Sequence, residues 1–260
     1  MKPPHRPKKY LGQNFLVDGR IQQKIIQACD FKHDDVVVEI GPGQGALTRL
    51  IGPQVKKLIC VEADRDLIGA LRSGFPAPVE IVHADFLKMD MGHLPDGIKV
   101  IGNIPYYIST PIIEKLIENR KKISEAFLTV QLEFGRRLVA AAGGKDYGSL
   151  SCFVQYYTGP KMLFKIKNTC FRPVPKVDSG FVRLIMRGPD EETGDIEQFL
   201  FKVIQTAFQQ RRKTIVNALK SMLGKEKLER ALADLGIKAD ARPEGLTLSN
   251  YIGLSRRLML

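Results

Sequence analysis

The chain has 260 residues, of which 44% are hydrophobic, and a formal net charge of +12 at pH 7. That apolar content can bury a full core, which excludes a disordered polymer, and the length accommodates one large domain and one small one. The basic excess, with a pI near 9.5, points to an acidic polymer as partner, nucleic acid ahead of anionic membrane.

In chain order, a basic, Pro-containing arm (Lys2, Arg6, Lys8, Lys9) opens residues 1–19. It leads into Leu11-Gly12-Gln13-Asn14-Phe15-Leu16, where Phe15 and Leu16 are expected to dock on the body. Ile21, Ile25 and Ile26 share one face of a helix predicted from about Gly19 to Ala28. Val36–Ile40 is a β-branched run ending in glycines, the signature of a buried parallel strand. A helix start at 46–51 and a strand at 58–61 follow. The alternation continues with a helix at 66–73, strands at 80–83 and 99–102, a helix at 111–119, a strand at 125–131 and a helix at 134–142. Such alternation predicts an α/β sheet with helices on both faces. Residues 150–157 and 182–186 read as a last pair of strands, antiparallel at one edge.

Composition shifts at Arg187-Gly188-Pro189-Asp190-Glu191-Glu192, a polar linker. Beyond it Ile196, Leu200, Val203, Ile204, Ala207 and Phe208 repeat with helical period, and helices are predicted at 225–235 and 248–258. The expected division is therefore a domain at 1–189 and a small all-helical domain at 190–260. The longest uncharged runs, 100–113 and 147–160, are too short and too polar to span a bilayer. No apolar signal core follows the basic start, so the cytoplasm is the expected compartment and a membrane partner is not expected. Cys29, Cys60, Cys152 and Cys170 are widely spaced and the four histidines show no ligand spacing, so neither a disulfide framework nor a metal is expected.

The chemistry concentrates at strand ends. Glu39-Ile40-Gly41-Pro42-Gly43-Gln44-Gly45 closes the first strand and opens a helix. Gly41 and Gly43 let the backbone approach a nucleotide-type ligand. There is no Gly-Lys-Ser/Thr of a phosphate loop, and the G-x-G-x-G spacing lacks the third glycine that admits a dinucleotide pyrophosphate. Glu62 ends the second strand, where an acid can grip ribose hydroxyls. Asp85 follows the third and can accept an adenine amino group, with Phe86 covering that ring. Acids beside a ligand without phosphate suit the cationic end of S-adenosylmethionine. At the next strand end, Asn103-Ile104-Pro105-Tyr106 offers an amide acceptor, a rigid turn and a stacking ring, fitted to a flat exocyclic amine.

Four ordered segments carry a resemblance. Leu11–Leu16, the E-I-G-P-G-x-G-A-L-T run at 39–48, Asn103–Tyr106 and Phe171-Arg172-Pro173-Val174-Pro175-Lys176-Val177-Asp178-Ser179 together are similar to the bacterial small-subunit (16S) ribosomal RNA adenine-N6,N6-dimethyltransferases. The likeness extends over essentially the whole chain. It implies a Rossmann-like class I methyltransferase sheet followed by a helical C-terminal domain. S-adenosylmethionine is the implied cofactor, contacted by Asn14, Leu16, Gly41, Glu62, Asp85 and Asn103. The implied substrate is a pair of adjacent adenosines in a 3′-terminal hairpin of the small-subunit rRNA, methylated by a monomer.

In that reading Asn103 acts on the amine while Tyr106 and Phe171 flank a base drawn out of its stack. Pro105 shapes the substrate side, and Arg211, Arg212 and Lys213, on a C-terminal helix, contact phosphates. Two departures from the family pattern are Gln131-Leu132-Glu133-Phe134 and Glu62-Ala63-Asp64. The alternatives are a large-subunit (23S) rRNA methyltransferase of the erythromycin-resistance type and a non-catalytic RNA-binding assembly factor.

Overall fold

The computed structural model of the protein describes residues 7–8, 11–188 and 194–259. The arm residues Lys2, Arg6 and Lys9 and most of the polar linker lie outside the described residues. By their packing, the described residues form two units. One runs through Gly135 and resumes over Gly159–Met186; the other takes Arg136–Thr158 together with the chain from Arg187 onward. The second unit thus includes an internal segment that the sequence boundary at 189/190 assigns to the first domain.

The first unit is built on a short strand β1 (Phe15–Leu16), helix α1 (Gly19–Cys29), β2 (Val36–Ile40), α2 (Thr48–Ile51), β3 (Lys57–Glu62), α3 (Arg65–Gly74), β4 (Val79–His83), β5 (Ile98–Asn103), α4 (Ser109–Glu118) and β6 (Ile123–Gln131). After α5 (Leu132–Val139) and α6 (Ser149–Tyr157) come β7 (Thr158–Ile166), β8 (Phe171–Arg172) and β9 (Ser179–Met186). Seven strands form one sheet in the order β4-β3-β2-β5-β6-β9-β7. The pairs β2–β3, β3–β4, β2–β5 and β5–β6 are parallel, and β6–β9 is antiparallel. The α/β, Rossmann-like expectation holds.

Parallel strands sandwiched between helix layers must be apolar on both faces. Val37, Val38, Leu58, Val100 and Ile101 are accordingly buried, and Phe127 and Phe181 stack across the β6–β9 pair with ring centroids 6.3 Å apart. Asp18 caps α1, its Oδ1 accepting the N–H groups of Arg20 and Ile21 at 2.9 and 3.1 Å.

Topology positions the site. From β2 the chain moves outward through β3 and β4, then returns to place β5 on the other flank of β2. Loops leaving the carboxyl ends of β2 and β5 therefore diverge and open a crevice at the point where strand order reverses.

One expected strand is a helix. Residues 150–157 lie in α6, where Ser151, Cys152, Val154 and Tyr157 are buried. An aromatic, apolar run buried on several sides has no clean period, so it reads equally as a core strand. The strand that was missed is the next segment, β7, whose Pro160 argues against a central strand but is tolerated at the sheet edge, where β7 lies.

The second unit is helical, with α7 (Glu197–Gln209), α8 (Ile215–Leu223), α9 (Lys225–Asp234) and α10 (Leu248–Met259) joining α6. Tyr147, Cys152, Leu200, Ile204, Leu219 and Tyr251 belong to one buried cluster.

Candidate active site

A cavity of about 440 Å³ lies at the switch point of the first unit. It is of the size that takes a nucleoside-like ligand. Its floor is the glycine turn after β2, where Gly41, Gly43 and Gly45 have φ of +64°, +57° and +78°, backbone that only glycine adopts without strain. A Cβ on Gly43 would stand 2.9 Å from the Phe15 ring, while one on Gly41 would meet nothing within 4 Å. Gly43 thus makes room for the entry segment, and Gly41 leaves open space on the cavity floor.

Glu62 ends β3 with a carboxylate held in place by backbone: Oε2 accepts from the Gly43 N–H at 3.1 Å and Oε1 from the Asp64 N–H at 2.8 Å. Burial raises its pKa, and the two amide donors oppose that rise. Each oxygen keeps a lone pair able to accept from a ligand hydroxyl. Asp85 is exposed and caps the turn after β4, accepting the Leu87 N–H at 3.0 Å through Oδ1. Phe86 is buried beside it on the cavity wall.

Glu39 was given no role by sequence, yet it lines the same cavity. Its carboxyl is 2% exposed and accepts from Thr48 Oγ1 at 2.7 Å and Cys60 Sγ at 3.5 Å. Burial pushes its pKa up to about 7, against the pull of the Thr48 and Cys60 donors. The available signal was an acid inside an otherwise unbroken β-branched run.

The entry segment closes the other wall. Phe15 and Leu16 pair antiparallel with Arg172 and Phe171. Asp64, 1% exposed, accepts from Lys8 Nζ at 2.6 Å and Gln13 Nε2 at 2.8 Å, and Lys8 also meets Asp66 at 2.6 Å. Lys8 is therefore committed to two carboxylates and is not the free phosphate contact expected of the arm.

At the end of β5, Asn103 Nδ2 donates to the Asn14 carbonyl at 2.8 Å. With the amide nitrogen engaged, Oδ1 is the acceptor that remains. Pro105 precedes a short turn, and the Tyr106 hydroxyl meets Ser179 Oγ at 2.7 Å, which ties the motif to the start of β9. Asn14, Leu16, Gly41, Gly43, Glu62, Asp85, Phe86, Asn103, Pro105 and Tyr106, all singled out by sequence, border this one cavity.

Two further expectations are corrected by the structure. Phe171 does not line the cavity; it is 1% exposed within the core of the first unit, so stacking on a base would require the ring to leave that core. Arg211, Arg212 and Lys213 occupy the turn between α7 and α8 and not a helix. Arg211 is bound internally, its Nε to Glu244 at 2.7 Å and its Nη2 to the Lys145 carbonyl at 2.9 Å, so it braces the second unit. Arg212 and Lys213 are exposed.

Residues 4–258 match the family model described as ribosomal RNA adenine dimethylase. The chain belongs to that family. The ribosomal RNA small subunit methyltransferase A of Moorella thermoacetica is 43% identical, over 97% of this chain and 92% of its own. Among solved structures, a dimethyladenosine transferase from Plasmodium falciparum superposes with a TM-score of 0.80 at 27% identity, covering 92% of this chain and 95% of its own. The 23S rRNA methyltransferase ErmE gives 0.78 at 27% identity, covering 95% and 100%. The family match spans both units of the fold.

Proposed function

We propose that the protein transfers methyl groups from S-adenosylmethionine to the N6 amines of two adjacent adenosines near the 3′ end of small-subunit rRNA. The observation that carries this reading is the Asn103 amide, whose nitrogen is held by Asn14 at the rim of a nucleoside-sized cavity. The small subunit is favoured over the large one because similarity is 43% to a small-subunit enzyme and 27% to ErmE.

The residues fit the cofactor. Glycine-lined space at Gly41 accepts its close approach, Glu62 can hold the ribose, Asp85 and Phe86 the adenine, and Asn14 and Leu16 the remaining wall. When bound, the cofactor supplies a methyl group already activated on a sulfonium.

An adenine N6 lone pair is delocalised into its ring and attacks poorly. Asn103 Oδ1 and the Ile104 carbonyl accept the two N6 hydrogens, which favours the tetrahedral, nucleophilic form of the amine. Tyr106, anchored by Ser179, fixes the plane of the ring, and this placement contributes most of the rate gain. The proton leaves to water after attack, so the site needs no strong base.

The helical unit, with Arg212 and Lys213, holds phosphates of the RNA. The same reading has the enzyme act as a monomer, without a metal, in the cytoplasm; among the described residues no helix is long and apolar enough to cross a membrane. The deciding experiment incubates the protein and cofactor with unmethylated small or large subunits and reads dimethyladenosine by mass spectrometry. Product on small subunits alone supports the proposal. Product on large subunits alone, or binding without product, supports one of the two alternatives and overturns it.

A further inference from the structure

Ile185 on β9 apart, the exposed large apolar side chains of the first unit fall on segments that flank the cavity: Val17 just after β1, Tyr107 just after the Asn103–Tyr106 turn, and Val174 and Val177 in the loop before β9. Tyr107 is the most exposed of them, at 62%, and it also lines the cavity. Its ring is seated. A Cβ on Gly12 would stand 3.1 Å from Tyr107 Cε1 and 3.2 Å from Cδ1, so the missing side chain at Gly12 makes the seat for one ring edge. No hydrogen bond or ring contact ties Tyr107 to another described residue. An aromatic side chain held by its edge, wet over most of its surface and next in sequence to Tyr106, is an apolar surface awaiting a flat partner.

Resting on the functional reading above, we propose that Tyr107 is the shelf on which a nucleobase next to the target adenine stacks. A base drawn from its stack leaves its neighbour with one face exposed to water. Tyr107, at the rim one residue beyond Tyr106, replaces the lost stacking partner. Stacking of this kind is tolerant of base identity, so Tyr107 selects an extruded RNA geometry and not a sequence.

The test compares Tyr107→Phe, Tyr107→Leu and Tyr107→Ala in methylation of small subunits, with cofactor affinity measured by calorimetry and folding by thermal melting. Tyr107→Phe should match the wild type. Tyr107→Leu, which keeps apolar packing on Gly12, and Tyr107→Ala should each raise KM for the RNA about tenfold, the effect of losing one base–aromatic stack. Cofactor affinity should stay within about twofold, well under the tenfold that 1.4 kcal/mol represents. Subunits reconstituted with an abasic nucleotide 5′ or 3′ of the target then close a double-mutant cycle. One of the two abasic substrates should impair the wild type and have no further effect on Tyr107→Ala. Wild-type behaviour of Tyr107→Leu, or additive losses with both abasic substrates, overturns the proposal. A wild-type enzyme that methylates no small subunit would instead overturn the functional reading on which it rests.

Discussion

The side-chain amide of Asn103 and the main-chain carbonyl of Asn14 meet at 2.8 Å, bringing together the end of β5 and the segment that precedes β1. The bond orients the amide, turning Nδ2 toward Asn14 and Oδ1 away from it. Its oxygen is the group left for chemistry.

Asn103→Ala should therefore lower kcat by about 10²–10³-fold, the range seen when a donor or acceptor aimed at the reacting group is removed. RNA affinity should change little, because phosphate contacts supply most of it. Asn103→Asp sets a carboxylate oxygen against the Asn14 carbonyl and should be as inactive. Single-turnover rates beside filter-binding affinities check this, and equal losses in both would refute the assignment.

Glu62→Ala should weaken S-adenosylmethionine binding by about 1.5–3 kcal/mol, the scale of a charge-assisted hydrogen bond. Glu62→Gln, which keeps one acceptor for the Gly43 or Asp64 N–H, should lose less. Calorimetry giving unchanged affinity in a folded Glu62→Ala protein would remove Glu62 from the ribose site.

Glu39 carries a pH signature. Its folded pKa, about 7, lies above the ordinary 4.5. The folded state thus binds more protons than the unfolded one between these values, and stability falls as pH rises through that window. The contribution is at most about 3 kcal/mol. Glu39→Gln, which cannot ionise, should flatten the decline in melting temperature between pH 5 and 8, read by calorimetry at several pH values. An identical slope in the variant would show that Glu39 does not titrate there.

Arg211 and its two neighbours should separate cleanly. Arg211→Ala leaves Glu244 and the Lys145 carbonyl without their partner. Because the pair is partly exposed, it should cost about 0.5–1 kcal/mol of stability, seen in denaturant unfolding. The pair Arg212→Ala and Lys213→Ala should leave stability unchanged and reduce the salt slope of binding to small subunits by about one to two contacts. An unaltered slope would place this turn away from the RNA.

Much of the site was legible because its residues interrupt strands. Glu62, Asn103 and the glycines stand at the ends of β-branched runs, where a polar or side-chain-free residue has no packing role to confuse the signal. Phe171 carried no such mark; an aromatic before a stiff Pro-x-Pro loop looks alike whether it faces a ligand or the core. Arg211 was misread because charge alone does not reveal whether a guanidinium faces solvent or the carbonyls of a distant turn. The α6 segment failed for a related reason, since its aromatic run lacks the one-sided period that separates helix from strand. Lys8 shows the same limit: only the fold brings Asp64 and Asp66 to it.

The two-stranded ribbon of Phe15–Leu16 with Phe171–Arg172 sets an order of events during synthesis. The first wall of the cavity emerges from the ribosome early, but the strand it pairs with is among the last parts of the first unit to be made. A nascent chain that stops short of β8 already holds every residue that lines the cavity, with Asn14 on Asn103 and Gln13 on Asp64, yet lacks the strand that pairs with Phe15 and Leu16. The ribbon is therefore the last backbone pairing added to a wall whose lining is already made.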